Sequence, residues 1–260
     1  MLLQRVAKHL RDQNWLAVAI DFLIVVFGVL LANQITNWNE ARQDRIRASV
    51  FSESLKRELR AELGYANALI AYNRSTLSAG RLAYASLSGM QETDDETLLI
   101  NAYRASQYNW YERRRAAFDQ IVSSGSLSLI SDPALLDTAV GVYNTQIFGL
   151  MLEEGQNSKF RELFRMNVEP AMQDELARNC GDIADVDQGF AVGLITIDYD
   201  CSLDASAEEI SAAAQALRSD PLIVRSLGSR NVQTQGRISD LEGILETLGL
   251  NALFPEDTAP

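Results

Sequence analysis

The stretch NWLAVAIDFLIVVFGVLLANQITNWNE, residues 14–40, decides the fold class, because it holds an 18-residue run, 15–32, whose only charge is Asp21. A helix of that length measures about 27 Å, close to the roughly 30 Å hydrocarbon core of a bilayer. Trp15 and Trp38 bracket the run, as aromatic residues do at membrane interfaces. The stretch therefore predicts a transmembrane anchor over residues 15–34.

Two other interpretations of this run compete with an anchor. A cleaved signal peptide fits the basic residues that precede it, but the run is long for a signal and no convincing small-x-small cleavage site follows Leu31. A soluble core helix needs a large protein around it, because the run is apolar on all faces. We expect an uncleaved anchor, with the lipid bilayer as its first partner.

Asp21 is the polar feature inside the predicted span. An acid about two turns from the interface is either a tolerated shallow carboxylate or a contact to a neighbouring membrane helix. Gly28 offers such a helix a close approach, although one glycine is not a GxxxG motif. Amides and a tryptophan follow at headgroup level and form a predicted membrane-exit collar: Gln34, Asn37, Trp38, Asn39 and Glu40.

The charge of −12 is unevenly distributed along the chain. Residues 1–47 hold six Lys/Arg and four Asp/Glu, whereas the remaining residues hold 17 and 31. An acidic outer domain argues against a nucleic-acid partner, because phosphate contacts need a basic face. The Lys/Arg counts on the two sides of the span are nearly tied, so the positive-inside rule does not orient the chain.

The two cysteines, Cys180 and Cys201, bear on the compartment. A bridge between them would close a loop of about 22 residues and stabilise the fold by roughly 3 kcal/mol. Such a pair is typical of an oxidising compartment, whereas two free thiols would suit the cytosol. We expect the disulfide and, if the source is a Gram-negative bacterium, a single-pass inner-membrane protein whose large domain is periplasmic.

Beyond the span, the sequence predicts a mainly α protein with an extended bundle of four or five antiparallel helices. Apolar residues at helical spacing predict a long helix from Asn39 to about Ser86. Capping signals predict helices that start at Thr93, at Asp132-Pro133, at the Ser206/Glu209 capping box and at Asp220-Pro221. The first two of these helices are expected to run to about Ser123 and Val168, with Gly149 and Gly155 weakening the second.

The predicted domains are a basic flank 1–14, the anchor 15–34, a stalk and bundle 35–177, an Asp/Gly-rich loop or hairpin 178–205, C-terminal helices 206–250 and a flexible tail 251–260.

The sequence lacks the usual signs of catalysis. Its only histidine, His9, precedes the span, so the rest of the chain has no histidine base, Ser-His-Asp triad or histidine metal ligand. Phosphate-binding glycine motifs and a Ser-x-x-Lys dyad are absent. Paired carboxylates could still carry out catalysis, but acids on helix surfaces usually form a solvated face. The acidic cluster around 182–204 is a calcium candidate, but Asp182, Asp185 and Asp187 do not match calcium-loop spacing. We therefore predict no catalytic residues, no cofactor and no metal.

The stretch YRASQYNWYERRRAAF, residues 103–118, is the candidate partner or ligand surface. Aromatic residues and arginine dominate protein interfaces and also cradle small anions. In the opposing interpretation the aromatic rings fill the bundle core and the arginines pair with acids on neighbouring helices. The candidate residues are Tyr103, Arg104, Tyr108, Trp110, Tyr111, Arg113, Arg114 and Arg115.

Two stretches carry a resemblance to a known family. NQITNWNEARQDR contains Gln34, Asn37, Trp38, Asn39 and Glu40, and AAFDQIVSSGSLSLISDPALLDTAVGVY, residues 116–143, contains Phe118, Ser124, Gly125, Leu127, Leu129, Ile130, Asp132, Leu135 and Tyr143. Over about residues 1–145 the chain resembles a family of small proteobacterial inner-membrane proteins that is catalogued as a domain of unknown function. The resemblance implies a single-pass anchor with a helical domain, and no known activity.

These observations predict a non-enzymatic envelope protein that acts as an accessory or scaffolding subunit. Its expected partners are a membrane protein complex or further copies of itself. The alternative is a periplasmic module that senses or binds a small ligand and signals through a partner.

Overall fold

The computed structural model describes residues 15–185 and 194–255, with side chains for residues 19–184 and 195–255. The predicted flank 1–14, Asp187 and the last five residues of the predicted tail lie outside the described residues. The chain divides into two compact units, Met1–Ser52 and Glu53–Pro260. Helix α1 runs through both, from Trp15 to Leu87.

The described residues are mainly helical, which confirms the predicted mainly α class with a long N-terminal apolar helix. A 3₁₀ turn covers Ser126–Leu129. After α1, the helices are α2 (Asp95–Ala105), α3 (Ala116–Ser123), α4 (Pro133–Asn144), α5 (Ile147–Gln156), α6 (Lys159–Asn167), α7 (Pro170–Cys180), α8 (Ala207–Ser219), α9 (Pro221–Thr247) and α10 (Leu250–Leu253).

Most helix starts follow the local capping chemistry of the sequence. Asp132 accepts a hydrogen bond from Leu135 N with Pro133 as the first helical residue, and Asp220 caps α9 in the same way. Ser206 and Glu209 form the predicted capping box. One predicted cap is wrong by a residue: Asp94, not Thr93, accepts from Thr97 N at 2.8 Å, because a carboxylate is the better acceptor at a helix N-terminus.

Two predicted long helices are broken. The helix expected from residue 93 to 123 is interrupted at 106–115, which we call the connecting segment. The helix breaks there because side chains of this segment are held by α1, as described below. The helix expected from 133 to 168 is three helices, broken before Ile147 and at Ser158, whose hydroxyl accepts from Arg161 N and caps α6. Neither break falls at the glycines suspected of weakening this helix, since Gly149 and Gly155 both lie inside α5.

A short antiparallel hairpin follows α7. Strand β1 (Ile183–Asp185) pairs with β2 (Leu194–Thr196), with Ile183 opposite Thr196. A disulfide between Cys180 and Cys201 closes the same region at its base. The predicted loop or hairpin at 178–205 is therefore a hairpin, while the residues at its tip, 186–193, lie outside the described part of the chain.

The main core lies among α2, α6, α7, α8 and the start of α9. Its largest fully buried side chains include Phe160, Phe164 and Leu217. Phe254, in the region predicted to be a flexible tail, is buried too, and the Arg60 guanidinium lies 4.7 Å from the centre of its ring. The packed fold therefore continues past residue 250.

Two glycines on α5 allow a matched test of this packing. A Cβ at Gly155 would lie 2.6 Å from Tyr108 Cβ, whereas one at Gly149 would meet nothing within 4 Å. Gly155→Ala should lower the free energy of unfolding by about 1–3 kcal/mol through overpacking. Gly149→Ala should raise it by roughly 0.5 kcal/mol through helix propensity. Denaturant unfolding followed by circular dichroism measures both, and equal effects of the two substitutions would contradict the packing of the connecting segment on α5.

Candidate functional site

The N-terminal part of α1 presents large apolar side chains that nothing in the described chain covers. The most apolar 18-residue stretch of this helix has a mean hydropathy of 2.0, and none of it is buried. The helix is long and apolar enough to cross a membrane. Phe22 and Phe27 are each more than 60% exposed. Exposing one such side chain to water instead of burying it costs about 1.5–3 kcal/mol, so an apolar environment would stabilise this segment.

The predicted membrane residues all lie on that exposed part. Asp21 and Gly28 are exposed, and a Cβ at Gly28 would meet nothing within 4 Å. The collar side chains make no hydrogen bond or ion pair with any described residue. The ion pair in the following part of the helix joins Arg47 to Asp44 at 2.9 Å. The collar side chains, Gln34, Asn37, Trp38, Asn39 and Glu40, are all exposed.

The 103–118 stretch does not form one continuous surface. Tyr103 is buried in the core beside Phe164. Arg104 donates to Tyr199 O at 2.6 Å and lies 5.0 Å from the centre of the Tyr199 ring. These residues hold the chain near the disulfide against α2, and they present no recognition surface.

The aromatic residues of the connecting segment face in different directions. Tyr108 packs beside Gly155, and the Arg161 guanidinium lies 4.9 Å from the centre of its ring. Tyr111 stacks on Tyr65 of α1 with ring centres 4.2 Å apart. Of the three, only Trp110 is largely exposed, at 54%. Trp110 therefore remains available for an intermolecular contact, while Tyr108 and Tyr111 anchor the segment.

Arg113 makes the strongest internal contact of the stretch. Its guanidinium donates to Glu62 of α1 at 2.8 Å and to Val142 O at 2.8 Å. Glu62 is 1% exposed, and burial raises the pKa of its carboxyl while Arg113 opposes that shift. The pair therefore fixes the connecting segment to α1 from inside.

The other two arginines lie at the surface. Arg115 pairs with Asp119 one turn along α3, where both side chains are about half exposed. The Arg114 side chain is exposed, and its carbonyl accepts from Tyr143 Oη at 3.0 Å. Exposed pairs of this kind contribute little to stability.

A carboxylate that the sequence analysis missed provides the cap of α3. Arg115 precedes this helix and provides no side-chain cap. Glu58, 59 residues earlier, accepts instead from Ala117 N at 2.7 Å and from Phe118 N at 3.2 Å. A negative charge is favourable at this end of a helix. No local pattern could have revealed the cap, because donor and acceptor are far apart in sequence.

An open cavity of about 690 Å³ lies between α5, α6 and α9. Its apolar lining includes Leu150, Phe160 and Leu163, and its polar lining includes Ser229 and Arg230 of α9. The sequence analysis missed this site. The sequence does contain a pattern that could have revealed it, because the lining residues recur at helical spacing on one face of α9: Leu222, Arg225, Ser226, Ser229, Arg230 and Gln233.

The acidic region around the hairpin shows no cation site in its described part. Asp182 accepts from Tyr72 Oη at 2.8 Å. No group of three His, Cys, Asp or Glu among the described residues could hold a metal ion. Asp187 lies outside these residues, and the backbone alone of Asp185 is described.

Comparison with known proteins places the chain in a family. A model described as a family of unknown function, DUF6090, matches residues 21–199, more than half of the chain. The chain belongs to DUF6090. The expected uncharacterised family is thereby confirmed, and its match extends beyond residue 145, where the resemblance ended. No curated protein and no solved structure matches the chain significantly.

The DUF6090 match covers Asp21, Gly28, the collar and the whole connecting segment. It ends shortly after β2, so α8 and α9 lie beyond it. The α9 wall of the cavity, including Arg230, is therefore outside the matched region.

Arg113 forms a buried ion pair and Arg115, two residues later, forms an exposed one. Substituting each arginine compares the two kinds of contact. Arg113→Ala should lower the free energy of unfolding by about 3–5 kcal/mol, because it leaves the Glu62 carboxylate buried without its positively charged partner. Arg115→Ala should change it by less than about 1 kcal/mol. Denaturant titration of both variants measures this difference. An Arg113→Ala variant as stable as Arg115→Ala would mean that the Glu62 contact does not hold the segment.

Proposed function

We propose that this protein is a membrane-anchored, non-enzymatic envelope protein that acts as an accessory or scaffolding subunit. The observation that carries this proposal is the uncovered apolar part of α1, of which Phe22, Val25 and Phe27 are each more than 60% exposed. A bilayer would supply the apolar surroundings that the described chain does not. The helical backbone satisfies its own hydrogen bonds and therefore tolerates lipid.

The partner contact is proposed for the membrane face that holds Asp21 and Gly28. Seven residues separate them, so they lie on nearly the same side of the helix. A carboxyl group in lipid gains from a polar partner, and a glycine lets a second helix approach closely. The proposed partner is a membrane helix, either of a second copy or of another subunit, and Trp110 is proposed as an additional contact outside the membrane.

The absence of catalysis is part of the proposal. Its support is that two acids one turn apart on α1, Glu58 and Glu62, already have partners. Glu58 caps α3, and Glu62 pairs with Arg113. Carboxylates that already serve as a helix cap and an ion-pair partner are not free for paired-carboxylate catalysis.

We further propose a bacterial inner-membrane location with the large domain in the periplasm. The support is the disulfide between Cys180 and Cys201, which is the bond expected in an oxidising compartment. The Lys/Arg distribution does not indicate the orientation of the chain in the membrane, so the proposed periplasmic location of the large domain rests on the cysteines.

Membrane anchoring is tested by charge placed on the apolar segment. Val25→Arg combined with Val29→Arg should move the protein from carbonate-washed membranes to the soluble fraction, since each arginine costs about 2.5–3.5 kcal/mol at the centre of a span. Val232→Arg is the control, because Val232 is an even more exposed valine and lies on α9. Wild-type protein released by the same carbonate wash would refute the anchor.

The partner contact is tested by the mass of the particle purified in mild detergent. Light scattering should give wild type a mass above one chain of 28.8 kDa, after correction for detergent. Gly28→Leu should reduce it to one chain, because the close approach is blocked. Leu30→Phe, on nearly the opposite face, is the control and should leave the mass unchanged. A wild-type particle with one chain and no stoichiometric companion would contradict the scaffold.

A further inference from the structure

Arg230 occupies a position that otherwise belongs to the core. The buried stripe of α9 contains Ile223, Leu227, Thr234 and Ile238 at steps of three and four residues. Arg230 lies within this stripe and is 7% exposed, and it lines the cavity between α5, α6 and α9. A charged side chain at such a position costs free energy unless it is paired.

The described residues do not provide that pairing. The guanidinium of Arg230 makes one long hydrogen bond, from Nη2 to Gln107 O at 3.3 Å, and its Nε has no partner. Glu154, an acid on the cavity wall that attracts Arg230 electrostatically, accepts from Nε and Nη2 of Arg237, at 2.8 and 2.5 Å. Burial lowers the pKa of Arg230, because it removes the charged guanidinium from water.

The remaining charges of the cavity wall favour a single negative charge. Lys159 pairs with Glu162, and Arg237 neutralises Glu154. Arg225 and Arg230 are left on one side, with Glu153 opposing them. Two carboxylates on the wall would repel a dianion such as phosphate more strongly than a monocarboxylate.

The volume and lining of the cavity indicate that the anionic group belongs to a larger organic molecule. Its volume of about 690 Å³ is within the range of roughly 300–1,000 Å³ that is typical of small-molecule sites. Leu150, Phe160, Leu163 and Leu222 supply an apolar lining, and Ser226 and Ser229 add hydroxyl groups on the Arg230 side.

We propose that this cavity binds a small organic monocarboxylate, with the carboxylate on Arg230 and the apolar body against Leu150, Phe160, Leu163 and Leu222. The Ser226 and Ser229 hydroxyls complete the hydrogen bonding, and Arg225 draws the anion to the entrance. The site is independent of the anchor, because none of its residues lies on α1. An anchored scaffold with such a site would carry a ligand-dependent state in its helical domain.

The ligand test uses benzoate, benzamide and inorganic phosphate with the full chain in detergent. Calorimetry should show saturable benzoate binding with a Kd below about 1 mM. Benzamide and phosphate should bind at least tenfold more weakly. Arg230→Met should weaken benzoate binding by about tenfold or more, as expected for loss of a charge-assisted hydrogen bond. Arg81→Met, an exposed arginine on α1, is the control and should bind like wild type.

Stability without ligand provides a second readout. Arg230→Met should raise the melting temperature, because a buried charge without a counterion is removed, whereas Arg113→Met should lower it. No saturable benzoate binding, tighter binding of phosphate than of benzoate, or a fall in melting temperature for Arg230→Met as large as for Arg113→Met would each overturn the proposal. If Arg230→Met does not fold, Arg225→Gln must weaken benzoate binding about threefold or more, and unchanged binding then overturns it.

Discussion

One helix with two different kinds of apolar surface is the constraint on which the rest of this structure depends. Between residues 20 and 38, the large apolar side chains of α1 are exposed, whereas Leu55, Leu59 and Leu63 are almost fully buried. An α-helix satisfies its own backbone hydrogen bonds, so the same secondary structure serves in lipid and in a protein core. The side chains alone decide which environment each part needs.

The buried part of α1 also supplies polar groups that fix distant segments. Glu58 caps α3, Glu62 pairs with Arg113, and Tyr72 donates to Asp182 beside the hairpin. An apolar face by itself permits sliding of one helix along another, whereas a buried acid with one correct partner does not. These three contacts therefore define where the connecting segment, α3 and the hairpin lie on an otherwise hydrophobic helix.

The sequence reveals local chemistry well and distant pairing poorly. The caps at Asp132, Ser206 and Asp220 are correct, because a cap depends on residues two or three positions apart. The break at 106–115 was missed, because the groups that hold it lie about 50 residues earlier on α1. Helical spacing also continues through Ile46 and Val50, which are exposed, since periodicity shows that a face exists and does not show what covers it. Arg230 was not predicted as a binding residue for another reason: a single arginine in an apolar stripe is a weaker interface pattern than the aromatic–arginine cluster at residues 103–118.

The central claim, that the apolar part of α1 stays in the protein and in the membrane, is tested most directly by intact mass spectrometry of the protein extracted from membranes. The account predicts a membrane-bound species of 28.8 kDa that retains residues 15–38. A freely water-soluble species that lacks the first thirty or so residues would contradict it.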